Sequence, residues 1–87
     1  MSESIASVSF HLGSDVRMKC MVYPQSGPIL SLDICGANVA ISPAGREQIT
    51  DDVLATVREF ASQAQRFLSE CERVHSLQLD QANETAA

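Results

Sequence analysis

The spacing of the apolar residues changes once along this 87-residue chain, near residue 49, and that change constrains the fold most. Before it, apolar and polar residues alternate with a period of two, which is typical of strands with one buried face. After it, apolar residues recur every three or four positions, which is typical of an amphipathic helix. The sequence therefore predicts an α+β fold, with the strands first and the helix last.

The period-two part predicts a four-stranded antiparallel meander, because short turn sequences separate its four runs. The runs cover residues 6–12, 16–22, 30–34 and 39–41. A slip of one residue would turn every side chain to the other face, so the register follows from parity. We expect Val22 to lie opposite Leu30, and Lys19 opposite Asp33. The last turn is expected at Gly36-Ala37.

Parity also assigns one face of this sheet to the core. A three-residue loop after Leu12 would put Phe10 opposite Met18 and both on that face. Cys20 is then predicted to be buried, Cys71 also on the helix, and Cys35 to be more exposed. The residues predicted to face the helix are Val8, Phe10, Met18, Cys20, Leu32, Ile34 and Ile41.

After residue 49 the apolar residues follow a heptad-like helix pattern. Its apolar positions have spacings of 4, 3, 4, 3, 4 and 3, from Val53 to Val74. Thr50 is a good N-cap, and the two aspartates that follow favour the helix dipole. Nothing breaks the pattern before about Leu79. We therefore predict one domain over residues 1–79, with the helix packed on one face of the sheet, and a frayed tail over residues 80–87.

The helix is too long for the sheet, and this mismatch predicts a homodimer. From Asp51 to Leu79 it would measure roughly 43 Å at 1.5 Å per residue, whereas a seven-residue strand spans roughly 23 Å. The first half would pack on the sheet and the second half would extend beyond it, still apolar. A second copy of the chain is the expected cover, and a groove for a different protein is the alternative. The predicted dimer interface consists of Ala64, Phe67, Leu68, Cys71 and Val74.

The outer face of the sheet is the second candidate surface. Arg, Met and Tyr are enriched at protein interfaces, and one strand collects them together with a lysine. The predicted partner-binding residues are Arg17, Lys19, Met21 and Tyr23.

Charge and composition exclude several classes of protein. The formal charge is −5, which disfavours sequence-general binding to nucleic acids. No apolar run approaches the roughly 20 residues of a membrane helix. The first residues lack the basic stretch of a secretory signal, so such a signal is not expected. Three cysteines without a Cys-x-x-Cys spacing favour a reducing compartment over a disulfide framework. We therefore predict a cytoplasmic protein without a membrane partner.

Residues that carry chemistry are few. Cys71 and His75 lie four apart, which is a metal-ligand spacing, but two ligands do not make a structural zinc site. His11 is read as a solvated residue on a strand. No nucleophile has a partner base, and no phosphate-binding glycine loop is present. The sequence predicts no catalytic residue, no metal site and no cofactor.

The function expected from these features is that of a small acidic protein-binding module. It would act as a homodimer on another cytosolic protein, as accessory or modulator proteins of phages and mobile elements do. The alternative is a nucleic-acid-binding regulator that uses Arg17, Lys19 and Tyr23 on the outer sheet face. An enzyme is not expected.

Overall fold

The computed structural model describes residues 6–86 and shows a three-stranded antiparallel sheet followed by one long C-terminal helix. The strands are β1 (Arg17–Met21), β2 (Ile29–Ile34) and β3 (Ala37–Ile41), with β2 in the centre. The helix α1 covers Asp51–Ala86. The chain divides into two compact units at the boundary between Ile49 and Thr50. The predicted α+β arrangement is confirmed, with one strand fewer than expected.

The predicted first strand is the one that is missing. Residues 6–12 are described and form no regular secondary structure. Val8 is 75% exposed, and Phe10 and Leu12 are about half exposed. The alternation of apolar and polar residues indicates which side chains would share a face. It does not indicate whether the strand has a hydrogen-bonded neighbour, and three strands already form a sheet without it. Phe10 and Val8 are therefore not part of the sheet face to which parity assigned them.

Both hairpins differ from the expected register by two residues. In the first hairpin Cys20 lies opposite Leu30, where Val22 was expected, and Arg17 rather than Lys19 lies opposite Asp33. A shift of two residues keeps every side chain on its face. The predicted facial set therefore holds within the three strands: Met18, Cys20, Leu32, Ile34 and Ile41 share one side of the sheet.

The turn between β2 and β3 explains the second shift. Ile34 pairs with Ala37, so the two-residue turn is Cys35-Gly36 and not Gly36-Ala37. Both turn residues have positive φ, 50° at Cys35 and 79° at Gly36. Two positive φ values are the mark of a type I′ turn, whose twist matches that of the flanking strands. Cysteine occupies a position that asparagine or aspartate usually takes.

This turn leads to a prediction about stability. A left-handed conformation costs an ordinary residue on the order of 1 kcal/mol, whereas asparagine tolerates it. Replacing Cys35 by Asn should therefore raise the urea midpoint of unfolding, and replacing it by Val should lower it. A Cys35→Asn protein that is less stable than Cys35→Val would show that the turn has another conformation in solution.

Two hydrogen bonds join the loops at the end of the sheet opposite the turn between β2 and β3. The Gly27 N–H donates to the Arg46 carbonyl at 2.6 Å, and the Arg46 Nε donates back to the Gly27 carbonyl at 3.2 Å. Gly27 is buried, and a Cβ built on it would lie 2.7 Å from the Pro43 Cγ and 3.3 Å from the Ile49 Cδ1. Because of this close approach, the seven-residue connection from β1 to β2 is fixed against the chain that follows β3.

Little of the described chain is buried. Among the hydrophobic side chains of residues 6–86, Ile34 is the buried one, with 3% of its surface exposed. The three cysteines are free and exposed. The prediction that Cys20 and Cys71 are buried is therefore wrong for the single chain, because both lie on apolar surfaces that remain accessible.

The helix begins where the sequence predicts. The Thr50 Oγ1 accepts a hydrogen bond from the Val53 N–H at 3.3 Å, which is the N-cap interaction. Asp51 and Asp52 occupy the first turn. The helix ends at Ala86, beyond the end near Leu79 that the apolar pattern suggested. Its 36 residues correspond to about 54 Å at 1.5 Å per residue.

Candidate functional site

The first candidate surface is an apolar stripe along α1, called here the helix stripe. Its members are apolar or small residues at heptad spacing. They are Val53, Val57, Phe60, Ala64, Phe67, Cys71 and Val74, flanked by Leu54, Ala61 and Leu68.

Most of the helix stripe is exposed in the single chain. Phe67 is 59% exposed and Phe60 47%, and only Val53 has intermediate burial. The predicted dimer residues Ala64, Phe67, Leu68, Cys71 and Val74 lie together in its C-terminal part, and all five are exposed. The exposure continues toward the N-terminus, where Leu54 and Val57 are about 40% exposed. The stripe is therefore longer than the segment to which the sequence assigned the dimer.

A shallow groove lies on the C-terminal part of this stripe. Its lining consists of residues from three turns of α1: Phe67, Glu70, Cys71, Val74, His75 and Gln78. Cys71 and His75 thus share the groove, as their spacing predicts. Within residues 6–86, no three His, Cys, Asp or Glu side chains group as metal ligands would. The groove is an apolar surface with a polar rim.

Charged and polar side chains border the stripe. The Arg73 Nε lies 3.1 Å from the Glu70 Oε1, and both side chains are 58% exposed. The Gln63 amide donates to the Glu59 carboxylate at 2.8 Å. A surface pair of this kind contributes only a few tenths of a kcal/mol, roughly 0.3–0.5. These pairs therefore add little to the stability of the helix.

The second candidate surface is the polar side of the sheet, called here the polar sheet face. The strand register places Arg17, Lys19 and Met21 on it, opposite Asp33, Ser31 and Ile29. The three strand residues of the predicted partner site therefore share one face. Next to them, the Asn38 amide donates to the Asp33 Oδ1 at 2.6 Å and to the Ser31 Oγ at 3.0 Å. This polar cluster occupies the β2–β3 half of the face and leaves the cations on β1.

Tyr23 lies two residues after the end of β1. Its hydroxyl donates weakly to the Met21 Sδ at 4.0 Å, so it stays beside the polar sheet face. The guanidinium carbon of Arg46 lies 5.1 Å from the centre of the Tyr23 ring, a cation–π distance. Sequence reasoning missed Arg46, because 22 residues lie between it and Tyr23 and no local pattern links the two.

The other residues considered for chemistry stay apart. His11 is exposed and precedes the strands, so it is not the strand residue that was expected. In the described part of the chain, no helix has the length and apolar character needed to cross a membrane.

Comparisons with known proteins found no similar protein. No protein-family model, no curated protein and no solved structure matches this chain. The surfaces themselves are therefore the basis for any proposal about function.

Proposed function

We propose that this protein is a small, non-enzymatic protein-binding module that acts as a homodimer through the helix stripe. The supporting observation is the exposure of the stripe, in particular of Phe67, Leu68 and Val74, which are between 40% and 59% exposed. Monomeric proteins rarely leave a continuous apolar surface of this kind in water. Unpaired cysteines favour action in the cytoplasm.

The free energy available from the stripe is sufficient for such a dimer. Full burial of a large apolar side chain contributes roughly 1.5–3 kcal/mol, and these side chains are already about half covered. The four large residues Phe60, Phe67, Leu68 and Val74, counted in both chains, then contribute on the order of 8 kcal/mol. That gain exceeds the lowest estimates of the cost of association, about 4 kcal/mol. Burial of the stripe therefore favours association of two chains.

The proposal also covers the apolar side of the sheet. Met18 is 56% exposed and Ile41 is 38% exposed, so this face also needs a neighbour. We assign that role to the N-terminal half of the helix, from Val53 to about Ala64. The matching surface on the helix is the flank of the stripe, which includes Leu54 and Ala61.

We assign the binding of the other protein, as distinct from the second copy of this chain, to the polar sheet face. Arg17 and Lys19 share this face with the single carboxylate of Asp33, and Arg46 lies over the ring of Tyr23. Met21 and Tyr23 add an adaptable and a rigid apolar contact. This combination suits an acidic, partly apolar surface on another protein.

A nucleic-acid-binding regulator is the second candidate, and the same cations favour it. Tyr23 is 40% exposed beside Arg46, as a base-stacking residue would be. The net charge of −5 opposes it. Binding of an oligonucleotide that weakens steeply with salt, and is lost in Arg17→Glu, would favour this candidate over the protein-binding module.

The dimer itself is tested by sedimentation equilibrium of the unmodified chain. We expect a mass near twice the 9.4 kDa of one chain at tens of micromolar, and a shift toward the monomer on dilution. A 9.4 kDa species throughout that range would refute the homodimer and leave the helix stripe as a surface for another protein.

A further inference from the structure

The helix stripe alternates large and small side chains in a regular way. In heptad notation Val53, Phe60, Phe67 and Val74 are d positions, and Val57, Ala64 and Cys71 are a positions. The two phenylalanines therefore lie on one row of the stripe. The two smallest residues, Ala64 and Cys71, lie on the other.

This alternation distinguishes the two directions in which a second helix can lie. In a parallel pair each row meets itself, so two phenylalanines would face each other beside a layer of two alanines. Interfaces pack as closely as protein cores, and such layers would demand different distances between the same two helices. In an antiparallel pair the a row of one helix meets the d row of the other, and large residues meet small ones.

We infer that the protein dimerises through an antiparallel pair of α1 helices that overlap over residues 51–80, with the two-fold axis between Gln65 and Arg66; this inference rests on the proposed homodimer. In this register Phe60 packs against Cys71 of the partner subunit, and Ala64 against Phe67 of the partner subunit. Val57 meets Val74 of the partner subunit. Every aromatic residue of the stripe is opposite a small one.

Neighbouring registers are less favourable, and the bordering charges show why. Moving the axis by half a heptad toward the C-terminus brings the Glu70 residues of the two chains side by side, where like charges repel. Moving it by the same amount toward the N-terminus places Phe67 against the larger Val57 of the partner subunit instead of against Ala64. Each of these two registers leaves one valine of the stripe without an apolar neighbour: Val74 opposite Thr50 in the shifted register, and Val53 opposite Gln78 in the inferred one. In the inferred register Glu70 adjoins Gln63 of the partner subunit, whose amide is able to donate to it.

The two sides of the inferred pair differ in polarity. One side carries Leu54, Ala61, Leu68 and His75 from each helix, and the other carries Thr56, Gln63, Glu70 and Leu77. Near the two-fold axis, Ala61 adjoins Leu68 of the partner subunit on the first side, and Gln63 adjoins Glu70 of the partner subunit on the second. The centre of the pair is therefore apolar on one side and polar on the other.

Three serines make the register measurable. Ser62, Ser69 and Ser76 are one heptad apart on the side of α1 away from the stripe, and all three are exposed. Each is replaced by cysteine, one at a time, in a full-length chain whose native cysteines are replaced by alanine, and is then spin-labelled. The distance between the two copies of each label is measured by pulsed dipolar spectroscopy.

The inferred register predicts equal distances for the labels at positions 62 and 69. Their axial offsets are both about 10 Å, whereas the offset at position 76 is about 32 Å, from 1.5 Å per residue. Three equal distances would show a parallel pair. The shortest distance at 69, with equal ones at 62 and 76, would show the C-terminal shift. Distances rising steadily from 62 to 76 would show the N-terminal shift. Each of these three patterns overturns the register while the homodimer stands.

Absence of any dipolar coupling overturns the homodimer itself, provided that the cysteine-free chain sediments like the unmodified protein. A second measurement covers the case in which that chain fails to dimerise. With Cys20 and Cys35 replaced and Cys71 kept, the two Cys71 residues are about 16 Å apart along the inferred pair, too far for a disulfide. Oxidation should give no covalent dimer, and efficient crosslinking at Cys71 would refute the register.

Discussion

A chain in which both Phe67 and Val74 are replaced by Glu should sediment as a monomer at tens of micromolar. In the homodimer these changes put four carboxylates into an apolar interface without partners. An unpaired buried charge costs roughly 3–5 kcal/mol, so the combined cost exceeds the free energy that we assign to the stripe. Circular dichroism should still show a helical signal if the chain stays folded as a monomer. Sedimentation equilibrium measures the mass.

The matched control for this experiment places the same charges on the opposite side of the helix. Ser69 and Ser76 are exposed and lie away from the helix stripe, so Ser69→Glu with Ser76→Glu should leave the dimer intact. If both double variants become monomers, added negative charge and not the stripe controls association. If neither does, the interface lies elsewhere in the chain.

The helix was the most predictable part of this protein. Its apolar spacing repeats over three heptads and Thr50 begins it, and both are local features that no distant contact has to support. Its end was less predictable. Residues 80–86 have no apolar pattern, yet they remain helical, because nothing in them is a strong helix breaker.

The sheet shows what alternation determines and what it leaves open. Parity assigned Met18, Cys20 and Leu32 to one face correctly, because a shift of two residues preserves faces. It did not fix the register, because the turn decides that, and cysteine at a positive φ is not a recognisable turn signal. Nor did it show that residues 6–12 would lack a strand, since alternation carries no information about a partner.

The candidate surfaces were predictable to different degrees. The helix stripe follows from spacing alone, so its residues were found. Arg17, Lys19 and Met21 were found because they alternate along one strand. Arg46 was not, because its position over Tyr23 depends on the hydrogen bonds with Gly27, which join two loops distant in sequence.

The close approach at Gly27 makes Gly27→Ala the most damaging small substitution that we expect in residues 6–49. The added methyl would lie 2.7 Å from the Pro43 Cγ, and this atom has little freedom to move because the side chain of proline is closed onto its own backbone. Overpacking of this kind costs typically 1–3 kcal/mol. The free energy of unfolding should fall by about that amount.

Tyr23 reports the change directly, because the chain contains one tyrosine and no tryptophan. The near-ultraviolet circular dichroism of Gly27→Ala should lose intensity and melt earlier than that of the unmodified protein, because Arg46 no longer holds its place over the ring. Gly13→Ala is the matched control, since the Cβ there would meet only the flexible Asp15 carboxylate, at 3.1 Å. A Gly27→Ala protein with the tyrosine signal and melting midpoint of Gly13→Ala would show that the two loops are not tied together in solution.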